Sequence, residues 1–479
     1  MKRLLFIISC FTIAITVKAQ APSFDVNSAE GYPLRYTVID AVNRYVSVKS
    51  VSPYYVPPIT VVTIPATVNK VGETEPYKVT EVADNGFNLG YGNNLERVIL
   101  PEGIKRIGTS AFEWHVNMKS FYFPSTLEEI GAYAFRYALP TMQPTLDISN
   151  TKITELTDYV FWNNDNTRWT ENVKLPQTLQ KIGNRVFGKA YIKTLEIPNG
   201  VHTISCEAFY QMTDLEKITF TNPTPATLIN PPLSAFLNGE NDGLTTIYVP
   251  ADATKDYQST PGWANHISKY REKVPVGSAG YTSYYLENEN FKIPSGCTAY
   301  IITGITPSGS IMTPDQAVVK AFTAGKIIPK QTGFILQGAP NSTVVYQANV
   351  TGTEENVTNN LLIGTATEQE FNASGYKYYI FSNNGDEGLG FYKQGTRNGA
   401  SIKLAAHRAG LRLPEAIAPA KGFTIDFESA RKESETTGIR DVRPTVQSRE
   451  NVVYDLQGRR VTNPGRGIYI VNGKKVVRE

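Results

Sequence analysis

Cysteine and histidine are scarce in this chain, with three Cys and four His among 479 residues. So few cysteines exclude a disulfide scaffold, and no Cys/His spacing suits zinc. Cys206 and Cys297 lie 91 residues apart. They read as two buried thiols, with a disulfide as the alternative. An excess of one charge is lacking too. Lys and Arg number 47 against 44 Asp and Glu, a net +3 spread along the chain, so no electrostatic footprint for nucleic acid is present. Beyond the first 20 residues no apolar run is long enough to cross a membrane as a helix. The sequence also has no His-Glu-x-x-His, no Gly-x-Ser-x-Gly, no phosphate-binding loop and no dinucleotide fingerprint. No catalytic residue, metal or cofactor is expected. Paired carboxylates for glycoside hydrolysis stay open, because their separation is a property of the fold.

What the chain does have is 27 Tyr, 21 Phe, 37 Gly and 29 Pro, a composition of strands and turns. Its length calls for two to four structural units. Residues 1–19 read as a cleaved export signal: Lys2 and Arg3 precede an apolar stretch from Leu4 to Val17, and Val17-Lys18-Ala19 suits cleavage. A membrane anchor and lipidation at Cys10 are the alternatives.

One pattern recurs: an aliphatic residue, another three later, and Phe five after that. It occurs as Val79/Val82/Phe87, Ile104/Ile107/Phe112, Leu127/Ile130/Phe135, Ile153/Leu156/Phe161, Leu179/Ile182/Phe187 and Val201/Ile204/Phe209. The phenylalanines are 25, 23, 26, 26 and 22 residues apart, and Phe236 follows 27 later in a degenerate copy. Short alternating strands ending in proline precede the triplets, as in Val98-Ile99-Leu100-Pro101 and Phe121-Tyr122-Phe123-Pro124. Glycine after the second aliphatic residue (Gly108, Gly131, Gly183) suggests a sharp turn that returns Phe to the interior. One copy cannot bury this set, but stacked copies can, with the strands forming a parallel sheet on the concave side. Leu34–Ile39 and Arg44–Val48 read as a hairpin cap within 20–58. Residues 252–271, with Tyr257 and Trp263, read as the opposite cap.

The run from Leu95 to Phe112, Leu-Glu-Arg-Val-Ile-Leu-Pro-Glu-Gly-Ile-Lys-Arg-Ile-Gly-Thr-Ser-Ala-Phe, resembles the repeat of BspA-like leucine-rich-repeat surface proteins of Bacteroidetes. The resemblance covers roughly 59–272. It implies a leucine-rich-repeat solenoid and adhesion to host proteins and cells. That family often carries Cys three residues after the Phe, whereas this chain has His115, Ala138, Asn164, Ala190 and Met212 there.

Residues 273–428 lack the repeat. Strand-like runs at 298–303, 333–337, 343–347, 376–381, 389–393 and 422–427 suggest an antiparallel β-sandwich-like module. Asn383-Asn384-Gly385 marks a hairpin turn, and Asp386-Glu387 reads as a solvated turn rather than a calcium site. Residues 429–449 read as a charged linker. The tail, 450–479, resembles the end of a type IX secretion sorting domain; the alternative is a stabilising β tail. The fold class expected is therefore mainly β: a leucine-rich-repeat solenoid, an antiparallel β-sandwich-like module and a short C-terminal β tail.

His115 and His202 are expected to be partly exposed solenoid residues, while His266 falls in the cap and His407 has no recognisable partner. The better functional candidate is the outward face of the repeat strands, including Lys174, Glu196, Lys217 and Thr219. Tyr and Arg are favourable interface anchors, which singles out Arg97, Tyr122 and Tyr248; with Lys174 and Glu196 they form the candidate ligand-binding set. The expected function is a non-catalytic, exported, cell-surface or secreted binding protein, adhesin-like, taking a host or bacterial protein. The alternative is glycan binding by the aromatic-rich stretch 376–392, and an enzyme in that module ranks third.

Overall fold

Three-residue strands with one buried side chain between two outward ones set the architecture of the first half. The computed structural model describes residues 21–51, 59–90, 94–138, 145–163, 171–229, 236, 243–309, 315–385, 388–418, 423–441, 453–454, 460–461, 465–471 and 474–478. The sequence expectations for the first 20 residues, for Asn164 and for Asp386-Glu387 lie outside them. The chain is mainly β: a β-solenoid of about six turns over 81–271, then antiparallel sheets that include a curled half-barrel module. Its residues group into two units. One is Met1–Pro275 with Leu286–Lys292 and Thr343–Gly352; the other is Val276–Tyr285, Ile293–Ser342 and Thr353–Glu479.

Each turn of the solenoid contributes to three ladders. The first is the strand that precedes each triplet. Thr145–Asp147, Asn172–Lys174, Thr194–Ile197, Lys217–Phe220 and Thr246–Tyr248 pair in parallel in that order. Val61–Thr63 pairs separately with Arg97–Ile99. The second ladder joins the central aliphatic residues, Val82 to Ile107 to Ile130 and Leu156 to Ile182 to Ile204. These side chains are buried.

The third ladder lies at the phenylalanines and is built of turns. The Phe N–H of one copy donates to the carbonyl just before the next Phe: Phe87 to Ala111, Phe112 to Ala134, Phe135 to Val160, Phe161 to Val186 and Phe187 to Ala208, at 2.7–3.1 Å. Residues two before the Phe (Asn85, Ser110, Tyr133, Tyr159, Arg185, Glu207) all have φ between 49° and 60°. Left-handed backbone is rare away from glycine, and its recurrence here in each copy, and again two residues after the Phe at Trp114, Tyr137, Lys189 and Gln211, holds the arc in shape. The rings follow suit. Phe87 and Phe112 stack at 5.6 Å, Phe112 and Phe135 at 5.2 Å, and Phe187 and Phe209 at 6.4 Å. Burying each Phe contributes about 1.5–3 kcal/mol.

The glycine after the second aliphatic residue serves a purpose other than the sharp turn expected. Gly108, Gly131 and Gly183 are absent from the left-handed region. A Cβ on Gly131 would stand 2.4 Å from the Thr109 nitrogen, and one on Gly108 2.5 Å from that of Asp84. Glycine is required because the preceding copy's backbone passes too close for any side chain. His115 also departs from expectation. It is fully buried, with Nε2 3.1 Å from the Leu95 carbonyl, and burial holds its pKa down at about 4. The position three after the Phe points inward, where Ala138, Ala190 and Met212 are buried as well. His202 is exposed.

Both ends of the array are covered. Pro33–Asp40 and Tyr45–Ser50 form the expected hairpin, and the second strand pairs in parallel with Tyr77–Val82. At the far end, Trp263 is fully buried and donates from Nε1 to the Ala226 carbonyl at 2.9 Å. The last parallel strand, Tyr270–Pro275, is flanked by Thr343–Ala348, paired antiparallel. That strand comes from far along the chain and covers an edge that would otherwise offer open hydrogen-bonding groups.

This closure contains a buried acidic pair. Glu272 accepts from Thr254 Oγ1 (2.7 Å), the Thr254 and Asp252 N–H groups (3.2 and 3.1 Å) and Tyr346 Oη (2.5 Å). Glu289 accepts from the Lys255 N–H at 2.5 Å. Both side chains are at most 1% exposed. Burial raises both pKa values, and the charge of Glu272 raises that of Glu289 further. Two neighbouring carboxyl groups buried in this way do not both ionise readily, so the pair keeps a proton.

In the second unit, Tyr281–Tyr284, Phe334–Gln337, Thr298–Thr306, Asp315–Phe322 and Phe423–Thr424 form one sheet in that order. Leu362–Thr365, Arg408–Pro414, Tyr376–Gly385 and Gly388–Tyr392 form another. Tyr300, Ile302 and Ile335 meet Tyr379, Leu411 and Leu413 in one core. The strand expected at 422–427 is only two residues long, and Phe427–Asp441 is a helix where a linker was expected from 429. Its first residue, Phe427, seals the core against Tyr281 and Tyr300. Asn383-Asn384-Gly385 lies within a strand, across a register shift between Ser382 and Gly385. Cys206 and Cys297 are both buried thiols. In the tail, Gly467–Val471 pairs antiparallel with Lys474–Arg478.

Candidate functional site

Side chains that alternate with the buried ones line the outer face of the parallel sheet. The register arranges them in two rows. Thr145, Asn172, Thr194, Lys217 and Thr246 form one; Asp147, Lys174, Glu196, Thr219, Tyr248 and Arg271 form the other. Between and beyond these rows lies an open depression of about 460 Å³. Its lining includes Lys174, Glu196 and Tyr248 from the sequence-predicted set, with Lys217, Thr219 and Lys273.

The other two predicted residues lie apart from this depression. Arg97 is exposed on the two-stranded sheet with Val61–Thr63. Tyr122 is 73% exposed and flanks the buried Phe121, but 121–123 makes no ladder and is not a strand. The alternation expected there holds for burial and fails for hydrogen bonding. Lys273 was outside the predicted set because the repeat pattern stops before it. Its strand carries no Phe triplet, and only the pairing of Ile247 with Tyr270 and of Tyr248 with Arg271 extends the sheet to it.

The electrostatics of the face are uneven. Lys174 pairs with Asp147 at 3.1 Å, and Lys119 with Glu96 at 2.6 Å. The Lys273 ammonium sits 3.5 Å from the centre of the Tyr248 ring, a cation–π contact. Burial lowers the Lys273 pKa, Glu196 opposes that shift and Lys217 adds to it. Among the described residues no group of three or more His, Cys, Asp or Glu is arranged to hold a metal ion.

The aromatic stretch proposed for glycan is differently employed. Tyr378, Tyr379 and Phe391 are buried, the Tyr376 ring carries Arg412 at 4.8 Å, and Tyr392 Oη donates to the Gly388 carbonyl at 2.6 Å. His407 approaches the Tyr285 carbonyl through Nδ1 at 3.3 Å.

With this geometry in place, comparison with known proteins locates the chain. The BspA type leucine rich repeat region matches in six copies over residues 47–168, 80–216 and 144–258. The chain thus carries BspA-type leucine-rich repeats, similar to those of bacterial leucine-rich-repeat cell-surface proteins. A solved leucine rich cell surface protein from Faecalibacterium prausnitzii A2-165 is 21% identical, with 50% of this chain and 56% of that one covered and a TM-score of 0.38. This chain therefore spans about half the length of that protein. The leucine-rich-repeat protein of T. pallidum is 19% identical over 45% of this chain and 80% of its own, at a TM-score of 0.27. One from Bacteroides ovatus is 19% identical over 48% and 74%, at 0.22. No curated protein matches the chain. Among the described residues no helix is long and apolar enough to cross a membrane.

Proposed function

We propose that this chain is an exported, non-catalytic binding protein whose repeat solenoid takes a host or bacterial surface protein on the outer face of its parallel sheet. The observation that carries this reading is the depression bringing Lys174, Glu196 and Tyr248 together on one strand ladder. Extended sheets of stacked repeats offer side chains that vary without disturbing the buried ones. Arg97 and Tyr122 extend the same face toward the first copies as a secondary contact area. Export rests on the reading of residues 1–19, and surface display on the tail at 450–479. The division into cap, solenoid, β-module and tail belongs to the same proposal.

The test is site-specific photo-crosslinking in the full chain. A crosslinking amino acid at Thr219 is expected to capture a protein from extracellular-matrix or bacterial-surface extracts. The same group at Val71, 96% exposed elsewhere on this unit, is expected to capture none. Equal capture at both positions, or none at Thr219, overturns the reading. Deleting 450–479 is expected to abolish surface display, and unchanged display removes the sorting role.

A further inference from the structure

The proposed binding face has a specific chemical bias at its C-terminal end. The depression is lined by three lysines and a single glutamate. Lys174 already has a carboxylate partner in Asp147. Lys217 and Lys273 do not: among the described residues neither has an acidic group within ion-pair distance. Both are exposed. They stand on strands that flank the Tyr248 strand on either side, and the Lys273 ammonium lies over the Tyr248 ring.

An ammonium over an aromatic face is held by the ring quadrupole while its outer side stays open to an anion. Lys217 and Lys273 line one depression with like charges that repel, and a carboxylate placed between them removes that repulsion. Thr194 and Thr219 add hydroxyl groups to the lining, and Asn172 an amide. These can bond a peptide backbone. Val345 lies opposite Lys273 on the antiparallel strand and is 38% exposed, offering a small apolar contact beside the charges.

We infer that this end of the sheet binds an acidic peptide segment, whose carboxylates are held by Lys217 and Lys273 around Tyr248. The inference rests on the binding role proposed above and names the partner's chemistry. An extended segment suits a face built from open strand rows, and the opposite charge steers its approach.

The test uses the full chain and two fluorescent decapeptides, one alternating glutamate with serine and the other glutamine with serine, read by anisotropy. The glutamate peptide is expected to bind and the glutamine peptide to bind at least about tenfold more weakly, with affinity falling as salt rises. Lys217→Glu with Lys273→Glu should abolish binding, and Lys217→Gln with Lys273→Gln should weaken it about tenfold or more. Lys78→Glu with Lys152→Glu, the same charge change at two exposed lysines outside the depression, should preserve it. Equal binding of both peptides, equal loss in the control variant, or retention in the charge-reversed one overturns the inference. So does binding of a sulfated glycan fragment without the acidic peptide. In any of those cases crosslinking from Thr219 still stands as evidence for the binding face; its absence defeats the wider proposal separately.

Discussion

Replacing Glu289 with glutamine tests the closure of the solenoid. In the native chain Glu272 and Glu289 lie buried against each other and hold at least one proton through neutral pH. In the unfolded chain both ionise near pH 4–5. Their folded-state pKa values are raised, so their contribution to stability is complete below the unfolded value. It shrinks as pH climbs toward the folded value. One retained proton corresponds to about 1.4 kcal/mol per pH unit, or about 3 kcal/mol between pH 6.5 and 8.5. For units of this size that is roughly 5–10 °C in Tm. Glu289→Gln keeps the side chain's shape, its acceptor for the Lys255 N–H and a permanent donor toward Glu272. The native protein should therefore lose melting temperature across this window in scanning calorimetry. The variant should lose much less and be the more stable of the two at the alkaline end. A native transition that does not move between pH 6.5 and 8.5, or a variant with the same slope, would refute the retained proton.

Three further outcomes are expected. His115, with its pKa held at about 4, has a folded value below its unfolded one, so its stabilisation is present above about pH 6.5 and lost as pH falls. His115→Met, the residue at the matching place in the Phe209 copy, should reduce the stability lost between pH 7 and 5 by about 2 kcal/mol, measured by denaturant titration at both values. Gly131→Ala should destabilise by about 2–4 kcal/mol, because its Cβ meets backbone at 2.4 Å; an unchanged urea midpoint would show that the copies can separate to admit it. Phe135→Ala should cost about 3–5 kcal/mol, and a loss near 1 kcal/mol would mean that the ring stack closes over the gap.

The repeat was legible because its cause is local: each copy repeats the same aliphatic and Phe spacing, and burial falls on those residues. The alternation that placed Lys174, Glu196 and Tyr248 on the outer face rests on the same two-residue period. What escaped has non-local or conformational causes. Lys273 joins the face through strand pairing beyond the last triplet, and Tyr346 reaches the solenoid from 74 residues beyond Glu272. The left-handed positions two before the Phe are filled by Asn, Ser, Tyr, Arg and Glu, so no glycine pattern announced them. Where glycine did recur, it marked close packing between copies. His115 looked polar and surface-like because its matching residues in other copies share no chemical type, only an inward direction. The helix at Phe427–Asp441 carries many charges; its docking depends on one aromatic, Phe427, which composition does not single out.

The turn ladder at the phenylalanines has a direction. Each of its N–H groups from Asn85 to Lys189 donates toward the following copy, so one end of the array presents carbonyls and the other presents donors. Two such ends are complementary, and an uncovered array would accept another head to tail, without a symmetry that closes it. At the carbonyl end the hairpin strand supplies its own donor, from Ser50 to the Gly86 carbonyl at 2.8 Å. Seen this way the caps are chain terminators: they fix a polar, extensible filament at about six turns.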